Sequence, residues 1–445
     1  MNERNAYKYW NPILETLQPI KIKQLQFKKL KHIVTWAYEN SRLFRSLYDK
    51  KGFKPEDLQS WGDIIKIPVV LKENYRTAQE ENPWLYGESL SVPLEDVTHF
   101  HQTAGATGLP LYQPDTMQDW DLRTESWAYA MCAQGFQKID RVFIPVAYNV
   151  NMTAWAGHYA CEKVGCEVIP GGGLNTEERL LKMKEVRPTA FMANPTYVLR
   201  MTDVCRTKLN IDPAELGIQK ILCSGEPGAS IPTTKKRMED AWNAKVYDYV
   251  ASTEVGGWAF ECMAQPGGPH INEALYLVEL VDIDTGEQIE QLHTPGKIII
   301  TALDRYAQPC IRFDTNDIAM WGKPCECGRT FRILKGGVHG RADNITKIKG
   351  VLFSPLTVDE VIRNIPEVVD DYELIITRKH EVDQLILRVE IIPGTTANEE
   401  AIEHTLKQQL FLTTSLHFQI QFNPFGSLPR PQIEVKRFKD LRDHY

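Results

Sequence analysis

The sequence lacks three features that would settle its class at once. No apolar run approaches the length needed to cross a bilayer, and the polar N-terminus has no signal-peptide core, so neither a membrane span nor secretion is expected. Positive charge is not in excess: 51 Lys and Arg stand against 58 Asp and Glu, a net charge of −7. That balance argues against a broad nucleic-acid surface. Basic pieces such as Lys21 to Lys31 are short and broken by apolar residues, as on a solvated helix face. Nor is there a disulfide framework, because the nine cysteines are odd in number and scattered over 445 residues. This suits a reducing, cytoplasmic setting. Internal repeats and low-complexity tracts are also missing. What remains is a globular composition, 43% hydrophobic and 24% charged, in a chain too long for one core.

Residues 1–80 read as a charged helical lead-in, with Leu25, Phe27, Leu30, Ile33, Val34 and Ala37 at helical spacing and no chemistry of its own. The stretch His101-Gln-Thr-Ala-Gly-Ala-Thr-Gly-Leu-Pro110 follows. Its small residues predict a turn between a strand and a helical segment beginning near Asp115. Glycine lets backbone approach a phosphate, and successive N–H groups with hydroxyls can cradle the charge, although the lysine of a P-loop is missing. Short apolar runs over 141–147, 166–170, 189–193, 220–223 and 245–250 then alternate with helical patterns over 153–165, 176–186, 196–208 and 230–243. Such alternation predicts a parallel sheet covered on both faces, with ligands bound beyond the carboxyl ends of the strands. Tyr148, Ser224-Gly-Glu226 and Ser252-Thr-Glu254 all follow predicted strands. From Asn272 to Ala302 the pattern turns hairpin-like. Beyond Arg341 it runs strand, helix, strand, strand, helix, strand. The expected fold is α/β: a large N-terminal domain, 1–340, with parallel sheets plus β elements, and a small mobile α+β domain, 341–445.

Several of these stretches together resemble the phenylacetate–coenzyme A ligase type within the adenylate-forming superfamily. Thr103-Ala-Gly-Ala-Thr-Gly-Leu-Pro110 is similar to its phosphate loop, Ser224-Gly-Glu-Pro227 to its adenine-side segment, and Asp248-Tyr-Val-Ala-Ser-Thr-Glu254 to its D-x-Y-G-x-[ST]-E stretch. His158-Tyr-Ala-Cys-Glu-Lys-Val-Gly-Cys-Glu-Val-Ile-Pro170, followed by Asn175-Thr-Glu177, matches its core. Ile311-Arg-Phe-Asp-Thr-Asn-Asp317, Gly340-Arg-Ala-Asp343 and Lys349-Gly350 resemble its ribose, hinge and thioesterification motifs.

The resemblance implies a carboxylic acid, ATP and coenzyme A as partners, an acyl-adenylate intermediate, and often a homodimer. It implies that Thr103, Ala104, Gly105, Thr107 and Gly108 hold the β/γ-phosphates, that Thr253 donates to the α-phosphate and that Glu254 holds Mg²⁺. Ser224, Gly225, Glu226, Pro227, Asp248 and Tyr249 would flank the nucleotide. Asp317 with Arg341 would bind the ribose, Asp343 would be the hinge, and Lys349 with Gly350 would serve the thioester step. Tyr148, Trp155, Trp258 and His101 are candidates for an acyl pocket suited to an aromatic acid. Cys325-Glu-Cys327 with Cys262 and His270 makes a candidate structural zinc set, with His293 and His339 as substitutes. Cys132, Cys161, Cys166, Cys205, Cys223 and Cys310 read as small core residues.

The departures from the family pattern fall on the ATP side. Leu428-Pro-Arg430 is followed by Pro-Gln-Ile, and Glu434 stands where the family has its catalytic lysine, leaving Lys436 as the stand-in. Ala104 and Ala106 lack hydroxyls, Leu109 replaces a lysine, Asn316 a glycine and Val250 a tyrosine. These losses keep two alternatives open: a single-step acyl transferase and a non-catalytic binding subunit. Loss of one preorganised stabiliser of transition-state charge lowers rates by about 10²–10³. Glu434→Lys is therefore expected to raise pyrophosphate release from ATP; an unchanged rate would assign the role to another residue such as Lys436.

Overall fold

The computed structural model describes residues 8–80, 86–103, 110–265, 267–342, 346–348, 351–353, 355–379, 382–395, 398–414, 416–428 and 437–442. The chain forms two compact units: Met1–Ser230 with Lys235–Val338, and Ile231–Thr234 with His339–Tyr445.

The first unit is built on a seven-stranded sheet in the order Glu167–Pro170, Arg141–Ile144, Ala190–Ala193, Lys220–Ser224, Lys245–Ser252, Gly256–Phe260, His270–Ile271. The first five strands are parallel and the last two antiparallel, so the predicted parallel sheet acquires a mixed edge. Side chains alternate across a pleated strand, and here they feed two cores. Val142, Ala190, Met192 and Leu222 enter one apolar cluster; Phe143, Phe191, Ala193, Ile221, Cys223 and Val246 enter the other. This double burial is why these strands read as unbroken apolar runs.

The crossover helices start and stop where local chemistry dictates. Asn175 accepts from the Glu178 N–H at 3.0 Å and Glu178 returns a bond to the Asn175 N–H at 2.8 Å, capping Thr176–Val186. Met152–Val164 ends at Gly165, whose φ of +92° closes the helix. Beside the large sheet, Tyr276–Val281, Pro295–Ala302 and Phe313–Met320 make an antiparallel three-stranded sheet.

The helix expected near Asp115 is Met117–Ala133, and the residues just before it, Tyr112–Asp115, form a strand that pairs antiparallel with His99–Gln102. Thr116 caps that helix in a reciprocal box with Asp119. The six cysteines read as core residues, Cys132, Cys161, Cys166, Cys205, Cys223 and Cys310, are all buried.

In the second unit a four-stranded sheet, in the order Phe418–Asn423, Val382–Ile391, Val368–Lys379, Phe438–Asp440, carries Leu356–Arg363 and Glu399–Thr414. Leu385, Leu387 and Val389 share one face of their strand and join Val358, Ile362, Leu406 and Leu410 in its core. A short hairpin, Thr346–Ile348 with Val351–Phe353, precedes the first helix.

Candidate active site

The antiparallel hairpin sets the neck of the glycine-rich loop. Thr103 is buried: its N–H donates to the Leu111 carbonyl and its hydroxyl accepts from the Leu111 N–H, both at 3.0 Å. Ala104, Gly105, Thr107 and Gly108 lie outside the described residues. The same holds for Asp343, Lys349, Gly350, Glu434 and Lys436.

Register in the parallel sheet aligns several candidates at one edge. Ser224 ends its strand opposite Tyr249, and Gly225 turns the chain at φ +96°. The Glu226 carboxylate accepts from the Thr196 N–H at 2.6 Å, in the first turn of Pro195–Thr207, a favourable place for negative charge. Thr253 and Glu254 occupy the turn between Lys245–Ser252 and Gly256–Phe260. Asp317 lies on Phe313–Met320, one residue after Asn316 at φ +61°. That left-handed conformation explains why the family motif has glycine there and why asparagine is tolerated. Arg341 is exposed near the start of the second unit.

Residues 1–80, expected to contribute no chemistry, make a contact with a candidate residue. Val70 bridges Phe313 in parallel, its N–H donating to Arg312 and its carbonyl accepting from Asp314. Two residues later, Lys72 Nζ lies 2.8 Å from Glu254 Oε1. No local signal marks Lys72; only the bridge across distant sequence brings it to the site.

Two candidates have side chains packed into the core. Tyr249 is 1% exposed, its hydroxyl 3.1 Å from Ser126 Oγ and its ring centroid 4.3 Å from that of Trp127. A Cβ at Gly257 would come within 1.4 Å of the Tyr249 hydroxyl, so this ring fills the space of a missing neighbouring side chain. Trp258 is 2% exposed within the same core. Both are packing residues because their strand positions face inward.

Tyr148, Trp155 and His101 do come together, lining a cleft of about 600 Å³ with His99, Trp120 and Tyr159. His99 and His101 stand two apart on one strand and both stack on Trp120, with centroids at 4.6 and 5.0 Å. Burial lowers the pKa of both imidazoles, which favours neutral rings. On the other side, Tyr148 meets Trp155 edge to face at 5.0 Å and holds His158 Nδ1 at 3.0 Å through its hydroxyl. The Gln102 N–H donates to the Val150 carbonyl at 3.1 Å, fastening this wall beside the strand that enters the glycine-rich loop. The His99/His101 pairing was available in the sequence as an i, i+2 pattern; the contribution of Trp120 was not.

Cys262, His270, Cys325 and Cys327 converge, their candidate ligand atoms all within 4.8 Å of one another. Cys262 and Cys325 sulfurs are 3.7 Å apart, and Cys327 Sγ is 3.5 Å from His270 Nε2. A tetrahedral ion with Zn–S near 2.3 Å and Zn–N near 2.0 Å requires edges of roughly 3.5–3.8 Å, so the set fits zinc. His270 Nδ1 lies 3.2 Å from the Phe331 carbonyl, which directs Nε2 to the cysteines. The amino-terminal segment closes this corner. Arg329 pairs with buried Glu15 at 2.6 Å, and the Tyr9 hydroxyl donates to the Cys327 carbonyl at 2.9 Å.

The AMP-binding enzyme C-terminal domain family matches residues 350–442. Phenylacetate-coenzyme A ligase of Thermus thermophilus is 27% identical, over 97% of this chain and 99% of its own. That of Escherichia coli K12 is 26% identical, over 97% of both chains. Among solved structures, 2-hydroxyisobutyryl-CoA ligase in the postadenylation state, in complex with 2-HIB-AMP, superposes with a TM-score of 0.90 at 24% identity. That match covers 97% of this chain and 92% of the other. Fold, motifs and matches define an adenylate-forming enzyme, an AMP-forming acid–coenzyme A ligase. Over most of its length the chain is similar to phenylacetate–coenzyme A ligases.

Asp248 adds a pH dependence. Burial, reinforced by the charge of Glu261, raises its pKa from 3.8 to about 7. Between those values the folded chain holds a proton that the unfolded chain has released, so stability falls as pH rises through this window. Asp248→Asn is expected to flatten that fall in urea unfolding compared at about pH 5 and about pH 8. Identical slopes in the two proteins would refute the assignment.

Proposed function

We propose that this ligase activates an aromatic carboxylic acid of the arylacetate or benzoate kind, joining it to AMP and then to the coenzyme A thiol. The observation that carries the reading is the ring-lined cleft at the strand entering the glycine-rich loop, where flat neutral rings form facing walls. Such walls favour a planar apolar guest, since aromatic pairs gain about 0.5–1.5 kcal/mol beyond the area they bury. Phenylacetate is the acid in the names of the relatives.

In this reading Thr103 and the loop hold the β/γ-phosphates and Thr253 donates to the α-phosphate. Glu254 holds Mg²⁺, a hard cation that prefers carboxylate oxygen. Lys72 adds cationic charge beside Glu254 that the loop lacks, Leu109 standing where lysine is usual. Asp317 and Arg341 take the ribose. Asp343 is the hinge, Lys349 and Gly350 serve thioester formation, and Lys436 supplies charge in place of the missing lysine. Cys262, His270, Cys325 and Cys327 hold a structural zinc ion that fastens the amino-terminal segment through Cys327 and Arg329.

The test is pyrophosphate release with ATP, Mg²⁺ and phenylacetate, benzoate, an indole acid or 2-hydroxyisobutyrate. An aromatic acid is expected to exceed 2-hydroxyisobutyrate by at least about tenfold in kcat/KM, the scale a few apolar contacts provide. Preference for the aliphatic acid would sink the aromatic assignment, and no pyrophosphate with any acid would sink adenylation. For the metal, elemental analysis is expected to give one zinc per chain. Cys327→Ser is expected to lose it and melt at lower temperature; metal-free protein with an unchanged melting point upon chelation would refute the site.

A further inference from the structure

Two arginines that no motif contains lie beneath the Thr253–Glu254 turn. Asp115, on the strand leaving the glycine-rich loop, is wholly buried, and so nearly are Arg123 and Arg305. Arg123 Nε donates to Asp115 Oδ2 at 2.8 Å, and Arg305 Nε lies 3.5 Å from Asp115 Oδ1. Arg305 also reaches Gln113 Oε1, on the same strand, at 2.8 Å. The far ends of both guanidiniums reach the turn: Arg123 Nη1 donates to the Thr253 carbonyl at 3.3 Å and Arg305 Nη1 to the Glu254 carbonyl. Gly256 closes the turn at φ +105°, and a Cβ there would come within 2.7 Å of the Tyr276 hydroxyl.

We propose that Arg123 and Arg305, anchored on Asp115 and Gln113, are positioning residues for adenylation. They fix the Thr253–Glu254 turn relative to the strand that leaves the phosphate loop. This rests on the reading of Thr253 and Glu254 as the α-phosphate and Mg²⁺ contacts. Burying such charges is costly, and apolar residues of similar volume would avoid the cost. What the charges hold is two carbonyls of an irregular turn, outside the ladder of either strand. A trans peptide points its N–H opposite to its carbonyl. With the Thr253 carbonyl drawn to Arg123, the Glu254 N–H is turned away from the arginines, and the turn has one orientation. Both ends of the clamp therefore belong to segments that meet the triphosphate. Asp119, the other nearby carboxylate, accepts the N–H groups of Tyr306 and Ala307 and fixes the Arg305 end.

The test uses the full chain with Arg123→Lys and Arg305→Lys, which keep the charge and lose the forked reach. Pyrophosphate release is expected to fall about 10–100-fold and to need more Mg²⁺, the scale of a displacement near 1 Å. Thioester formation from a supplied acyl-adenylate and coenzyme A is expected to stay within about threefold of wild type, because that step does not use the Mg²⁺ contact. Unchanged pyrophosphate release overturns the proposal, and so does an equal fall in both half-reactions alongside a lower melting temperature. If Arg305→Lys fails to fold, Gln113→Leu removes only a neutral anchor and asks the same question. Should the wild type release no pyrophosphate with any acid, the functional reading fails, and calorimetry with magnesium–ATP decides the clamp. Weaker binding in Arg305→Lys keeps it; equal binding, or none in the wild type, overturns it.

Discussion

A carboxylate without solvent exposure, Asp115, governs how the larger unit is put together around its site. A buried charge is tolerated only when it is paired and hydrogen-bonded. Asp115 therefore draws Arg123 from the following helix and Arg305 from a segment far along the chain. One further nitrogen of each arginine, Nη1, donates to the Thr253 or the Glu254 carbonyl. The glycine-rich hairpin, a helix, a sheet-end turn and a loop joining two strands of the antiparallel sheet are thus tied at one point. Stability and site geometry are joined here, because the arginines that pair with the charge also hold the turn.

The rest of the site follows from two kinds of constraint. Parallel strands bring their carboxyl ends to one edge of the sheet, which places Ser224 and the 253–254 turn on neighbouring strands. Packing then sorts the aromatic residues. Tyr148 and Trp155 lie at a loop and the first turns of a helix and line the cleft, whereas Tyr249 and Trp258 lie on strand faces turned into the core. Cysteines sort in the same way: six are buried, where desolvation raises the thiol pKa and leaves them small packing residues. Three others meet His270 and Arg329, where the neighbouring Cys262 thiol, His270 and the Arg329 N–H pull the Cys327 thiol toward the thiolate.

Much of this was legible. The alternation of apolar runs and helical patterns specified a parallel sheet because burial on both faces leaves no polar positions to alternate with. The helical patterns over 153–165 and 176–186 are local signals, and the structure follows them with Met152–Val164 and Thr176–Val186. The strand Tyr112–Asp115 was hidden because Pro114 and Asp115 are poor strand formers held there by hairpin pairing and a buried ion pair. Lys72, Trp120, Arg123 and Arg305 carried no signal, since their partners are remote in sequence.

By itself, then, the sequence determined which segments become strands and helices, the order of the two units, and the residue types able to hold phosphate, cation and metal. Periodicity, capping and turn chemistry are written over a few neighbouring residues. Only the tertiary structure decided which aromatic rings line the cleft, which cysteines converge on His270, and which buried charges hold the Thr253–Glu254 turn. Those choices depend on pairings between distant segments, settled by the cost of leaving a polar group without a partner or a cavity unfilled.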